Sequence, residues 1–224
     1  MKLSLLLLTV CSVVGSAVIA QAGTINLDSS ATNTTNNSVS LGIADAGATE
    51  NILPNSSWYG PLAGSSWISY ADTGSTSDPN FYTVPNGTAV TFSQSFNVSG
   101  TVTNAVLNVL ADDTTSVVLN GITIYSAVLG GSYPLCSSQA IGCLESTEGN
   151  FSLASFGSDL KQGTNTLSFT TYQENGYSYG LDYVGSVATA TPEPASVTFV
   201  GLGLAGAAFW VRRKAGALKS QANA

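Results

Sequence analysis

Val117-Val118-Leu119-Asn120-Gly121-Ile122-Thr123-Ile124-Tyr125 (VVLNGITIY) sets an Asn-Gly pair between two runs of apolar, mostly β-branched residues. A two-residue type I′ turn needs positive φ at both central positions, which Asn and Gly accept at least cost. The stretch therefore predicts two antiparallel strands joined by a tight hairpin. The same pattern continues outward. Thr88 to Val98 (TAVTFSQSFNV) alternates, with Val90, Phe92, Phe96 and Val98 on one face and only Gln94 interrupting its apolar character. Further on, Thr164 to Thr171 (TNTLSFTT) and Ser178 to Val187 (SYGLDYVGSV) bracket a second Asn-Gly turn at Asn175-Gly176. Phe151 to Leu160 reads as one short helix. Short strands, Gly/Asn turns and no sustained helical period predict an all-β fold, an antiparallel sandwich. Gly23 to Ser57, rich in Ser, Thr and Asn, reads as a polar segment with an entry strand, ahead of a sandwich domain over 58–190.

Composition narrows the chemistry. Between Gly23 and Ala190 the one base, Lys161, stands against twelve acids, a net charge of −11, whereas the whole chain carries −7. Such a surface repels phosphate backbones, so nucleic acid is excluded as a partner. The chain has no histidine, which removes His-based triads and His-ligated metal centres. Cys136 and Cys143 bound a short polar loop, and in an exported chain such a pair reads as a local disulfide.

Both ends read as targeting segments. Met1-Lys2, the apolar Leu3 to Ile19 and the small-x-small Ala20-Gln21-Ala22 form a secretory signal peptide over 1–22, a helix removed on export. At the other end, Pro192-Glu193-Pro194 holds the backbone extended, because each proline restricts the residue before it. Val197 to Val211 follows as an uncharged run, read as a transmembrane helix, though at ~1.5 Å per residue it reaches only ~22 Å against a hydrocarbon core of ~30 Å. Arg212, Arg213 and Lys214 come next and keep 215–224 cytoplasmic by the positive-inside rule.

Pro192-Glu193-Pro194, the apolar span and the Arg-Arg-Lys cluster together resemble the PEP-CTERM sorting signal of Gram-negative bacteria, here over 191–214. The resemblance implies recognition by exosortase, a membrane-embedded protease. It also implies an inner-membrane precursor and a mature protein on the cell surface or in the extracellular matrix, where many members serve exopolysaccharide. Thr191 stands where valine is common, and the tail beyond Lys214 is an addition to the pattern. A second resemblance covers Trp58 to Val187. SSWIS around Trp67, FSQSFNV at Phe92 to Val98, ADDTTSVVLNG at Ala111 to Gly121 and LKQGTNTLSF at Leu160 to Phe169 resemble galactose-binding-like jelly rolls, common among bacterial carbohydrate-binding modules. It implies fold more than activity, since one sandwich hosts many functions.

Candidate site residues follow from residue type. Exposed aromatics offer flat faces to sugar rings. Tyr179, Leu181 and Tyr183 share one strand face and Trp67 lies among small residues, so these read as core, leaving Tyr172 and Tyr177 as ligand candidates. The acid pairs Asp112/Asp113, Glu145/Glu148 and Glu174/Asp182 are the carboxylates that glycoside hydrolysis would need, but they sit among turn residues where acids are ordinary. No catalytic residue is assigned. The expected function is non-catalytic polysaccharide binding or a structural role, the alternative being a polysaccharide-acting hydrolase or lyase. No cofactor is expected beyond a structural Ca²⁺ at Asp112 and Asp113, which the jelly-roll resemblance suggests and which lacks the spaced ligand ladder of a calcium loop.

Overall fold

A computed structural model describes residues 23–37, 47–130, 141–174 and 176–190, together with 201, 203, 204 and 206–210. The chain divides into a compact unit, Gly23–Thr189, and a second unit made of Met1–Ala22 with Ala190–Ala224. The signal segment, Cys136, Asn175, the Pro-Glu-Pro motif and the basic cluster lie outside the described residues. Within the second unit the described part of 201–210 is helical. Among the described residues no helix is long and apolar enough to cross a membrane.

The larger unit is built from two antiparallel sheets. The first contains β3 (Glu50–Asn51), β4 (Ile68–Ser69), β11 (Gly180–Ala190), β6 (Thr101–Asp112) and β9 (Gly149–Ser152) in that order, with β1 (Gly23–Asp28) also paired to β11. The second runs β2 (Thr35–Asn36), β5 (Ala89–Val98), β10 (Gly163–Tyr172), β7 (Thr114–Leu119) and β8 (Ile122–Tyr125). The segment 23–57 thus supplies strands to both sheets rather than preceding the sandwich, because β1 pairs along β11 and β2 along β5.

The hairpin stands where the sequence sets it. Asn120 and Gly121 have φ of 54° and 84° and join β7 to β8. The Asn120 side chain reinforces the corner: its amide donates to Asp159 O and Asn165 Oδ1, and its Oδ1 accepts from Thr166 N. By contrast, β10 and β11 belong to different sheets, so the segment around Gly176 carries the chain from one sheet to the other instead of closing a hairpin. The expected helix over Phe151–Leu160 is shorter: Phe151 and Ser152 extend β9, and α1 covers only Leu153–Phe156, followed by a 3-10 turn at Gly157–Asp159. Phe151 pairs with Leu107 of β6, so sheet hydrogen bonding outweighs the weak local helical preference there.

Alternation in β5 buries Val90, Phe92, Gln94, Phe96 and Val98, which meet Leu107 and Val109 of β6 and Leu181, Tyr183 and Val187 of β11 in one shared core. Each large apolar side chain in such a core contributes about 1.5–3 kcal/mol by leaving water. Tyr183 bridges the sheets. Its ring stacks on Phe169 at 4.4 Å, and its hydroxyl lies 3.1 Å from Gln94 Oε1 and 2.7 Å from Thr34 Oγ1. Gln94 therefore interrupts the apolar face of β5 to satisfy a buried phenol. Tyr179 does the same nearer the sheet ends, donating to Thr171 O and accepting from Val90 N. A smaller core of Ile52, Leu62, Trp67, Leu110 and Cys143 covers the other face of the first sheet.

Candidate functional site

Loops converge beyond the end of the sandwich where β6, β10 and the start of β11 lie. Asn55 donates to Ser178 Oγ at 2.9 Å, tying the segment before Trp58 to the segment before β11. Val84 N donates to Tyr177 O at 3.0 Å and Gly87 N to Gln173 O at 2.8 Å, which draws in the loop ahead of β5. Glu174 accepts from Gly130 N at 2.8 Å, adding the loop after β8. Gly176 takes φ +67°, a left-handed conformation that favours glycine, and a Cβ there would stand 2.8 Å from the tip of the Asn86 side chain.

This convergence exposes aromatic surface. Tyr177 is 55% exposed and its ring lies 5.6 Å from that of half-buried Phe81, tilted by 46°. Tyr82, also exposed, packs edge-on against buried Tyr70. Tyr172, the other tyrosine expected to touch ligand, is half-buried at the end of β10, opposite Ala89 and Thr114. Trp67, Tyr179 and Tyr183 are buried in the cores. Phe81 carries no sequence signal beyond its type; its role depends on the fold bringing the 80–87 loop beside Tyr177.

Trp58 marks a second feature of this end. Half-buried, its ring lies 4.4 Å from that of Trp67 and covers Gly180, where a Cβ would come within 3.1 Å of it. Its Nε1 donates to Asp112 Oδ2 at 2.8 Å. Asp112 and Asp113 are both buried at the turn from β6 to β7. Burial, and after it the neighbouring Asp113 carboxylate, push the Asp112 carboxyl well above the usual carboxylate range. Asp113 accepts from Glu174 N at 2.7 Å. Thr114 Oγ1, next in sequence, is buried with no hydrogen-bond partner among the described residues.

The other acids separate by environment. Asp182 is wholly buried and accepts from Ser65 Oγ at 2.5 Å and from Ser29 Oγ and Leu62 N at 2.8 Å. Those donors spend its lone pairs on holding the 62–65 loop and the end of β1 to β11, while burial raises its pKa. Glu145 is exposed beside Tyr59, whose hydroxyl lies 3.4 Å from Glu145 Oε1. The Glu145 carboxylate, by its charge, raises the Tyr59 pKa. Glu148 accepts from Asn108 Nδ2 at 2.6 Å. The three acid pairs thus differ: Asp112/Asp113 lie beneath the surface, Glu174/Asp182 are split between a loop contact and a buried latch, and Glu145/Glu148 flank an exposed tyrosine.

No group of three or more His, Cys, Asp or Glu side chains that could hold a metal ion occurs among the described residues. Asp112 and Asp113 supply two buried carboxyls, and Asp112 Oδ2 already accepts from Trp58 Nε1 at 2.8 Å. Cys143 is wholly buried in the smaller core and disulfide-bonded. Its expected partner, Cys136, lies outside the described residues.

Comparison with known proteins gives two kinds of likeness. No curated protein matches the chain. Among solved structures, a family 35 carbohydrate-binding module from Clostridium thermocellum aligns at 12% identity and a TM-score of 0.37, covering 72% of this chain and 97% of that one. An exo-β-1,3-galactanase from Phanerochaete chrysosporium, solved with galactose, aligns at 14% identity and a TM-score of 0.25, covering 76% of this chain and 28% of that one. With scores this low, the two-sheet architecture rests on the chain's own strand pairing. The C-terminal likeness is of another kind: residues 190–214 match the model of the PEP-CTERM protein-sorting motif, and the chain carries that motif.

Proposed function

We propose that the chain is an exported bacterial protein sorted by exosortase, and that its two-sheet unit binds polysaccharide at the cell surface or in the extracellular matrix without chemically altering it. The sorting motif over residues 190–214 supports the first part. In this reading the inner membrane holds the precursor through 197–211, Arg212, Arg213 and Lys214 fix its orientation, and the extended Pro192-Glu193-Pro194 ribbon is what the protease reads. The host is Gram-negative.

The observation that carries the second part is the pair formed at the loop end by exposed Tyr177 and half-buried Phe81. Aromatic faces set side by side suit the apolar faces of sugar rings, and the Tyr177 hydroxyl adds a polar contact. The four segments that resemble galactose-binding-like jelly rolls fall on β4, β5, the end of β6 with β7, and β10, and we read the finer fold as that jelly roll. The Cys136–Cys143 bridge belongs to the same reading as a staple for the loop ahead of Glu145.

Affinity electrophoresis of the full chain through gels containing a soluble polysaccharide tests binding. Retardation of the wild type that Tyr177→Ala weakens at least tenfold is the expected result; unretarded migration in every polysaccharide would overturn it. Exposed Glu145 and half-buried Glu148 near Tyr59 favour the alternative of a polysaccharide-acting enzyme. Release of sugar that disappears in Glu145→Gln would establish that alternative.

A further inference from the structure

The two sheets treat their outer faces differently. The outer face of the first is covered by the Ile52–Trp67–Leu110 core. The outer face of the second is half-exposed to exposed along its central strands. It carries a ladder of hydroxyls across β5 and β10: Thr91 with Thr170 at 2.9 Å, Ser93 with Ser168 at 3.0 Å and Ser95 with Thr166 at 3.5 Å. The same three pairs are register partners, so the rungs follow the strand direction in order. Adjacent strands stand ~4.8 Å apart and alternate residues ~6.7 Å apart, which makes the ladder a strip about 13 Å long between its outer rungs.

Charge is the second observation. None of the strand residues of β2, β5, β7, β8 or β10 is charged. On the strands of the first sheet Asp28 and Glu50 are half-buried, while Asp112 and Asp182 lie buried, and the chain from Gly23 to Ala190 carries twelve acids. A protein this acidic that keeps one whole sheet neutral presents a face from which a neutral partner is not repelled and to which an anionic one gains nothing.

Hydrogen-bond capacity is the third. A hydroxyl has one donor and two acceptor sites. Within a rung one hydroxyl donates to the other, so the acceptor keeps its own O–H and both keep lone pairs. Each rung therefore offers outward donors and acceptors together, the pairing that a polyol's hydroxyls match. A second protein is a poorer occupant, because serine is depleted in protein interfaces and aromatic, Met and Arg anchors are enriched there.

We propose that this hydroxyl strip is a docking face for an extended, uncharged glycan chain, distinct from the aromatic loop end. It rests on polysaccharide being the partner of this unit and adds the class of chain and a second face.

Affinity electrophoresis of the full chain in non-ionic detergent tests it, using mixed-linkage β-glucan and β-1,4-galactan as neutral probes and polygalacturonate as the anionic one. The isosteric double variant Thr91→Val/Thr170→Val keeps β-branched residues while removing one rung, and the pair Ser93→Val/Ser168→Val removes another while introducing them, both suited to strands. The expected result is retardation by a neutral probe and none by polygalacturonate, with either double variant losing tenfold or more of that affinity at an unchanged melting temperature. Full retention in both variants alongside loss in Tyr177→Ala overturns the strip and leaves the loop end as the binding site. Loss in the strip variants with retention in Tyr177→Ala supports the strip and overturns the loop end. Retardation by polygalacturonate alone, no retardation by any probe, or a dimer in sedimentation that the variants dissolve, each overturns the strip. Should one double variant melt early, the other decides.

Discussion

Asp112→Asn tests the buried carboxyl at the turn from β6 to β7. In the fold, Asp112 Oδ2 accepts from Trp58 Nε1 at 2.8 Å, its carboxyl hydrogen-bonds Asp113, and burial drives its pKa well above the ordinary value of 3.8. A carboxyl whose folded pKa is raised binds more protons folded than unfolded. Its contribution to stability is therefore fully present below about 3.8 and is lost as pH rises toward the folded pKa, at up to about 1.4 kcal/mol per pH unit, levelling off above it. Asparagine reproduces the neutral acid, with its carbonyl oxygen toward Trp58 and its amide donating to Asp113. Denaturant unfolding of wild type and Asp112→Asn at pH 4.5, 6 and 7.5 should give curves that diverge with pH, the variant gaining stability relative to wild type. Asp182 is raised too and slopes in the same direction, as does mutual repulsion among the acids, so the variant keeps a shallower slope. Parallel curves for the two proteins would refute the reasoning, since nothing would then link Asp112 to the titration.

Three further outcomes follow from named contacts. Gly121→Val forces a β-branched residue to φ 84° and should cost about 1–2 kcal/mol, read as a lower melting temperature. Tyr183→Phe removes the hydroxyl shared by Gln94 and Thr34 and should cost about 1–3 kcal/mol in denaturant unfolding, because a buried acceptor loses its donor. Reduction should add two hydrogens to the intact mass if Cys136 and Cys143 are bridged, and lower stability by about 2–3 kcal/mol, the chain-entropy value for so short a loop.

Legibility divides by whether a signal is local. The Asn120-Gly121 hairpin and the alternation of Thr88 to Val98 are local, and the fold shows both. Even the defect at Gln94 was visible as a break in pattern, although its cause, the Tyr183 hydroxyl from the opposite sheet, was not. Tyr179, Leu181 and Tyr183 were readable as core because period-two spacing reports which face is shared. Pairing between distant segments was hidden: nothing local says that Gly23–Asp28 lies along β11, or that β10 and β11 part into different sheets. For the same reason Phe81 could not be placed beside Tyr177, nor the Trp58 indole on Asp112, across 54 residues of chain. The hydroxyl strip was half-visible, as Ser and Thr at alternate positions of two strands, but only the register turns two stripes into a ladder.

Sorting by exosortase is tested most directly by the fate of the C-terminal segment. Mass-spectrometric mapping of the C-terminal peptide, on protein recovered from the surface of a host that possesses exosortase, measures it in one step. The expected mature chain lacks Val197 to Ala224. Replacing Pro192-Glu193-Pro194 by three alanines should leave membrane insertion intact and block that processing, while neutralising Arg212, Arg213 and Lys214 should disturb topology instead. An intact tail on surface-exposed wild-type protein would contradict sorting by exosortase and reduce the segment to an anchor.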